Sequence, residues 1–502
     1  MPVSTAMETV EEVSISEHLD TNDEYLKQLL GIGVSWDLIA KPFVFDGVRM
    51  TAYTANGYFL TMNMVLILEN VEMTLKEFVA RHPDRSFSVD ELVNYLNVTI
   101  GFVQVQIVKT MKDAVRFILS GPLVIFLDGY TDTLIIDTRI YPMRSITEPE
   151  VERVVRGPRD GFTETMLMNV ALIRRRLRDP RLRIELYQVG TRSQTDVSLM
   201  YLSDVTNDEI VDHLREGLKG INTDIVAMGE QAVTETLGRV KWNPYPIVRY
   251  TERPDVAATA LLEGQVVIIV DTTPEAIIAP STVFHHIHHP EDYHVYPIHG
   301  TYMRWVMLVG AVVSVFSPGF FTVMAHHSTW MPKAISVMIV PKPLSLPIAA
   351  QFVLAQLGVD LFERAVINTP TALATAIGVV AALVFGQFAV MMDLVTPEVL
   401  VFMGAAVVAQ YATSSHELAT ANRFMRLCVV LITWAFGVWG FLASIVLIVI
   451  LLTTTKSFGV PYLWPLIPFD WEGLKGILIR RPLYTADKRQ RILRTKTATR
   501  KG

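Results

Sequence analysis

From Leu427 to Thr455 (LCVVLITWAFGVWGFLASIVLIVILLTTT) twenty-nine consecutive residues carry no charge. As one helix rising ~1.5 Å per residue the stretch would be ~43 Å long, more than the roughly 30 Å hydrocarbon core of a bilayer. A soluble helix of that length needs a solvated face, and this one has none. The run predicts a tilted transmembrane helix.

Four more apolar runs precede it: Trp305 to Ala325, Leu346 to Phe362, Thr371 to Met392 and Val399 to Ser415. Pro318 and Gly319 should kink the first. The second starts in a proline cluster and ends on Asp360, Glu363 and Arg364. After the last helix, Tyr462, Trp464, Phe469 and Trp471 suggest an interfacial aromatic belt.

Charge is divided by region. Residues 1–300 hold 27 Lys and Arg against 42 Asp and Glu, whereas residues 473–502 hold ten basic residues and one acidic. An acidic front domain argues against nucleic acid as a partner, because duplex binding rests on cations neutralising phosphates. The only cysteine is Cys428, so neither an intrachain disulfide nor a multi-cysteine metal site can form. The amino terminus is acidic, without the apolar core of a secretory signal, so the front domain is expected in the cytosol. A cytosolic amino domain and a basic cytosolic tail require an even number of crossings. Reading Leu346 to Phe362 as interfacial or re-entrant leaves four, and places Arg423 and Arg426 outside.

The expected fold class is a multi-domain membrane protein: a cytosolic α/β part of two mixed subdomains, then an α-helical transmembrane domain. The boundaries are a disordered acidic lead at 1–21, subdomains at 22–121 and 122–299, a transmembrane domain at 300–456, and an aromatic interfacial segment with a basic cytosolic tail at 457–502. Val103, Val105 and Ile107 alternate with glutamines as a strand does, and Lys109 to Ser120 follows as a helix. The second subdomain opens with the strand LVIFL at Leu123 to Leu127 and another through Leu134 to Ile136. Glu164 to Arg178 is an amphipathic helix, with Met166, Val170, Ile173 and Leu177 on one stripe and Arg174, Arg175, Arg176 and Arg178 on the other faces. Strands near Arg183 to Val189, Val197 to Leu202 and Gln265 to Val270, with a helix from Asp208 to Leu218, complete an alternation that argues α/β layers. No internal repeat is evident.

Two polar clusters stand out. In RGPRDGFTE, Arg156 and Arg159 lie beside a helix start that Thr163 could cap, so they could hold an anion or pair with acidic neighbours against an adjoining subunit. In TERPD, Glu252, Arg253 and Asp255 precede a helix running to Glu263 and ended by Gly264; without a nucleophile or metal set, an ion-pair network is the plainer reading. No Walker loop, GxSxG or HExxH occurs, so neither catalysis nor a cofactor is expected. The run His285, His286, His288 and His289, with His294 and His299 beyond, could bind metal, sense pH, or form a solvated surface near headgroups.

In Thr371 to Met392, Ala374, Gly378, Ala382 and Gly386 recur every fourth residue, a stripe of small residues that lets helices approach closely. Beside it run Thr375, Val379, Leu383 and Gln387. This pair of stripes fits packing inside one subunit. It also fits a ring of copies in which the second stripe faces a pore with a hydrophobic constriction.

Several stretches together resemble the A-subunit family of bacterial spore germinant receptors, the GerA family: RGPRDGFTETMLMNVALIRRRLRDPRL, TRSQTDVSLMYL, YTERPDVAATALLEGQVVIIVD and PEDYH, with GIGVSWDL, TANGYF and SFGVPYLWPLIPFD. The similarity runs from about Tyr25 to Asp470. It implies an integral protein of the spore inner membrane, assembled as a pentameric ring, that acts as an ion channel during germination alongside other membrane germination proteins. The channel-lining helix of the family corresponds to Thr371 to Met392. Two departures are Thr272, where the family usually has glycine, and the HHIHH run. Conduction of cations is expected, with Asp393 and Glu398 at the inner mouth. A non-conducting scaffold, or the A subunit of a nutrient receptor, are the other readings.

Overall fold

The computed structural model describes residues 13–45, 47–59, 61–82, 87–100, 104–139, 149, 152–224, 228–238, 242–326, 346–482, 485 and 488–500. It divides into two units: residues 1–240, 250–280 and 484–502, and residues 241–249 and 281–483.

The first unit is one plan built twice. In the first half α1 (Leu19–Leu30) leads into β1 (Leu38–Phe45) and β2 (Val48–Ala55), then α2 (Thr61–Arg81), α3 (Val89–Thr99), β3 (Val105–Val108), α4 (Met111–Ile118), β4 (Leu123–Leu127) and β5 (Thr133–Ile136). The second half runs α5 (Met166–Arg176), β6 (Leu182–Val189), β7 (Thr195–Leu202), α6 (Asp208–Lys219), α7 (Glu230–Gly238), β8 (Arg249–Thr251), α8 (Pro254–Glu263), β9 (Val266–Val270) and β10 (Ala276–Ala279). The sheets are ordered β1-β2-β4-β5-β3 and β6-β7-β9-β10-β8, the same permutation.

The repeat extends to single hydrogen bonds. Asn22 Oδ1 accepts from the Ser16 amide (2.9 Å) while its Nδ2 donates to the Ser16 carbonyl (2.7 Å). Asn169 does the same with Thr163, at 2.7 and 2.6 Å. Asp128 Oδ1 caps α1 through the Leu19 amide (3.1 Å), and Asp271 Oδ1 caps α5 through the Met166 amide (2.9 Å). The Gly129 amide then donates to the Glu17 carbonyl and that of Thr272 to Glu164. The sequence echo of this duplication is short: SExLxxN at 16–22 against TExMxxN at 163–169, and LVIFLD against VVIIVD.

Both central strands are apolar throughout because both of their faces are covered. Leu123, Ile125 and Leu127 pack with α2 and α3, while Val124 and Phe126 pack with α1 and α4. The expected boundary at residue 122 therefore falls inside the first sheet. The strands LVIFL and Thr133–Ile136 pair with β2 and β3, not with anything downstream. Val103, expected in a strand, lies outside the described residues, and β3 starts at Val105. The expected helices at Lys109 to Ser120 and Glu164 to Arg178 appear as α4 and α5, trimmed at both ends.

Arg174 corrects an expectation. It is not on a solvated face but 1 % exposed, and it forks onto Asp37, equally buried, at 2.8 Å. With the Trp36 indole on Ser198 Oγ (3.0 Å) and the Tyr58 hydroxyl on the Ala171 carbonyl (2.9 Å), this pair joins the two halves. The basic tail is folded onto the second half: Arg489 donates to the Leu262 carbonyl, Thr497 to that of Asp204, and Lys496 pairs with Asp208.

The second unit is helical: α9 (Pro297–His326), α10 (Ile348–Ile367), α11 (Thr371–Ala381) continued by a π-helix (Ala382–Phe388) and a last turn (Ala389–Met391), α12 (Pro397–Tyr411), α13 (His416–Thr454), the short hairpin β11 (Lys456–Ser457) and β12 (Val460–Pro461), and α14 (Trp471–Leu478). Among the described residues three helices are long and apolar enough to cross a membrane: Pro297–His326, Leu373–Met391 and His416–Thr454. The last is not the single tilted span that its hydropathy suggests. Gly437, at φ 59° and ψ −137°, breaks it into arms at residues 416–436 and 438–454. Val429 and Ile448, ~28 Å apart in a straight helix, share one cluster with Val315. The two ends also meet: His286 joins Ser415 (3.1 Å) to Ser281 (3.2 Å), whose amide donates to Ser457 Oγ (2.8 Å). The arms form a helical hairpin of ~31 and ~26 Å.

Leu346 to Phe362, expected to be interfacial or re-entrant, forms most of the continuous 20-residue α10. It packs in the bundle, with Phe352 5.9 Å from Phe321 in a cluster with Met403 and Val430. Helix α12 runs antiparallel to α9, with Ala409 against Gly310 and Phe402 4.5 Å from Phe321. The aromatic belt is only half as expected: Tyr462 and Trp464 are buried, whereas Phe469 and Trp471 are exposed.

Candidate functional site

The helix of residues 371–391 is the least covered in its unit. Within it Val379 is 59 % and Leu383 40 % exposed, and Thr375 and Gln387 are exposed as well. The small stripe is only lightly covered. A Cβ on Gly386 would meet nothing within 4 Å, and one on Gly378 would touch only the Phe362 ring, at 3.7 Å. Ala374 is half-buried and Ala382 exposed. The π-helix, with its i→i+5 turns, interrupts the fourfold spacing of both stripes from Ala382 onward.

Asp393 lies in the turn between this helix and α12, exposed at φ 53°, and Glu398 lies in the first turn of α12. The turn is tied to the start of α10, because Gln351 Oε1 accepts from the Thr396 amide (2.8 Å). At the other end of α12, Ser414 donates to the carbonyls of His286 and His288. Asp393 and Glu398 thus lie at the end of α12 away from its contact with the histidine segment.

The two polar clusters come together, but not as an anion site. Arg253 is 1 % exposed and donates to Asp255 (2.9 Å) and to the carbonyls of Glu152 and Pro158, pinning the loop before α5. The Glu252 carbonyl accepts from the Phe162 amide. Arg156 and Arg159 point outward, and the start of α5 is filled by Asp271 rather than capped by Thr163. A carboxylate already occupies the place an anion would take.

The histidines serve separate backbone positions. His285 Nδ1 accepts from the Thr282 amide and His289 Nδ1 from that of Glu291, both at 3.1 Å. Burial, with Arg249 and His285 nearby, holds His286 well below the ordinary imidazole value, so it bridges its two serines uncharged. Among the described residues no three His, Cys, Asp or Glu side chains are grouped to hold a metal.

Sequence reasoning missed a polar network inside the apolar part. Arg426 is 1 % exposed and donates to Gln356 Oε1 (2.8 Å), Gln410 Oε1 (2.9 Å) and the Ser314 carbonyl (3.1 Å). Arg423, one turn earlier, pairs with Glu363 and lies 3.6 Å from Asp360. Charges at the edge of an apolar run were the available signal, but they also fit a loop outside the membrane.

A family model described as "Bacillus/Clostridium GerA spore germination protein" matches residues 24–492. The chain is 36% identical over 491 residues to Stage V sporulation protein AF of Bacillus subtilis (strain 168), covering 98% of each. It is 30% identical to Spore germination protein XA of Bacillus anthracis, over 80% of this chain and 82% of that one. Among solved structures, the N-terminal domain of the A subunit of the Bacillus megaterium spore germinant receptor GerK3 aligns with 53% of this chain and 96% of its own, at 27% identity and a TM-score of 0.42.

Proposed function

This chain belongs to the GerA family of spore germination proteins, and from that membership we propose that it is a subunit of a pentameric ion channel of the spore inner membrane that releases cations during germination. The observation that carries the reading is the bareness of Leu373–Met391, of whose apolar window 6% is buried within the subunit, against 50% for Pro297–His326. Thr375 and Gln387 facing lipid would be costly. Turned to a shared axis they face water, and the open notch at Gly386 receives a neighbouring copy. Val379 and Leu383 then form the narrow apolar waist that gates by dewetting.

Counting α9, α10, the 371–391 helix, α12 and the two arms of α13 gives six passes, an even number. That keeps the amino domain and the basic tail together on the cytosolic face, and Arg423 and Arg426 fall in the half of the bundle nearer to it, in keeping with the positive-inside rule. On that count Asp393 and Glu398, expected from the sequence at the inner mouth, would stand at the outer one and concentrate cations there. Other membrane germination proteins are the expected partners, and nucleic acid is not.

Replacing Leu383 with serine tests the reading. The full-length variant in liposomes should show a resting cation flux at least tenfold above that of the parent protein. A flux equal to the parent's would remove the pore assignment and favour a non-conducting scaffold.

A further inference from the structure

We propose that Arg423 and Arg426 are positioning residues for the conducting helix, acting through α10; the proposal rests on the channel reading above. Charged groups inside apolar helices are retained where they serve a function, and here two arginines of the first arm of α13 reach three other helices. Arg426 binds Ser314 on α9, Gln356 on α10 and Gln410 on α12. Gln356 is a relay: its Oε1 accepts from Arg426 while its Nε2 donates to Asp360 at 2.6 Å. Arg423 closes the loop on Glu363 and Asp360. Two cations and two carboxylates balance, so the network has no charge left over for a ligand. What it fixes is the angle of α10.

Two contacts connect that angle to conduction. Phe362, the neighbour of Glu363, is the ring against Gly378 of the conducting helix. Residues 368–370 are the whole connection between α10 and that helix. At its other end the first arm of α13 is anchored through its N-cap Ser415 to His286. A shift of the arm relative to His286 therefore moves the arginines, then α10, then Phe362 against the notch.

The test compares resting cation flux of full-length protein in liposomes, with oligomer size followed by gel filtration. Arg423→Gln and Glu363→Gln should each raise flux tenfold or more without changing oligomer size. The exchange Arg423→Glu with Glu363→Arg should return it close to the parent value, which a loss of general stability would not do. Arg426→Lys keeps the charge but lacks the planar fork whose three nitrogens each reach a different helix, and should raise flux several-fold; it decides the matter if the neutral variants do not accumulate. Parent-level flux in folded Arg423→Gln or Arg426→Lys protein, while Leu383→Ser leaks, overturns this proposal and leaves the channel standing. Silence in Leu383→Ser as well overturns both.

Discussion

Asp128 and Asp271 close the same corner in the two halves of the soluble unit, yet the next residue differs. Gly129 stands at φ 87° and Thr272 at φ 73°. A β-branched residue in the left-handed region is disfavoured by ~1–2 kcal/mol, part of which glycine loses again through the freedom it gives the unfolded chain. Exchanges at the two positions should therefore have opposite signs. Thr272→Gly should stabilise by ~0.5–1 kcal/mol. Gly129→Ala should cost ~1 kcal/mol, through the backbone alone, since a Cβ there meets nothing within 4 Å. Thermal unfolding of the two variants checks both signs, and a destabilised Thr272→Gly would show that the threonine side chain contributes more than the strain it causes. The sequence identified Thr272 as a departure from the family's glycine. It did not identify the partner position, because the repeat survives only where a hydrogen bond needs it.

At the scale of elements, what could be read from the residues was local. The strands LVIFL and Gln265 to Val270, the helix from Asp208 and the glycine stop at Gly264 all come from patterns within a dozen residues, and all are present in the fold. Which sheet a strand joins depends on pairing across long separations, so LVIFL was assigned to the wrong half. The cap of α5 failed in the same way. Thr163 is near in sequence, but Asp271 arrives from over a hundred residues away. Gly437 is a harder case, since glycine is common within transmembrane helices and nothing in its neighbours requires a reversal. Packing reveals it: a Cβ on Gly440 would lie 2.3 Å from the Ile432 carbonyl, an approach possible only if the chain has folded back. Spin labels at positions 417 and 453 in a Cys428→Ser background should report a separation far inside the ~54 Å of a straight helix. A distance near that value would restore the single span and undo the six-pass count.

For the whole molecule, membership of a germination family rests on nearly the full length of the chain, from residue 24 to residue 492, and its membrane character on the apolar helices of the second unit. The proposed conducting role rests on one helix that the rest of the chain leaves bare, and on the expectation that further copies of the chain cover it. Gln387 distinguishes that arrangement from a scaffold, because it faces water in a ring and lipid or protein otherwise. The direct measurement is single-channel recording from purified Gln387→Cys, Cys428→Ser protein in a planar bilayer, before and after a positively charged thiol reagent. Discrete cation currents that the reagent blocks are predicted. Silent bilayers, or currents that the reagent leaves untouched, would contradict the assignment of this helix to the pore.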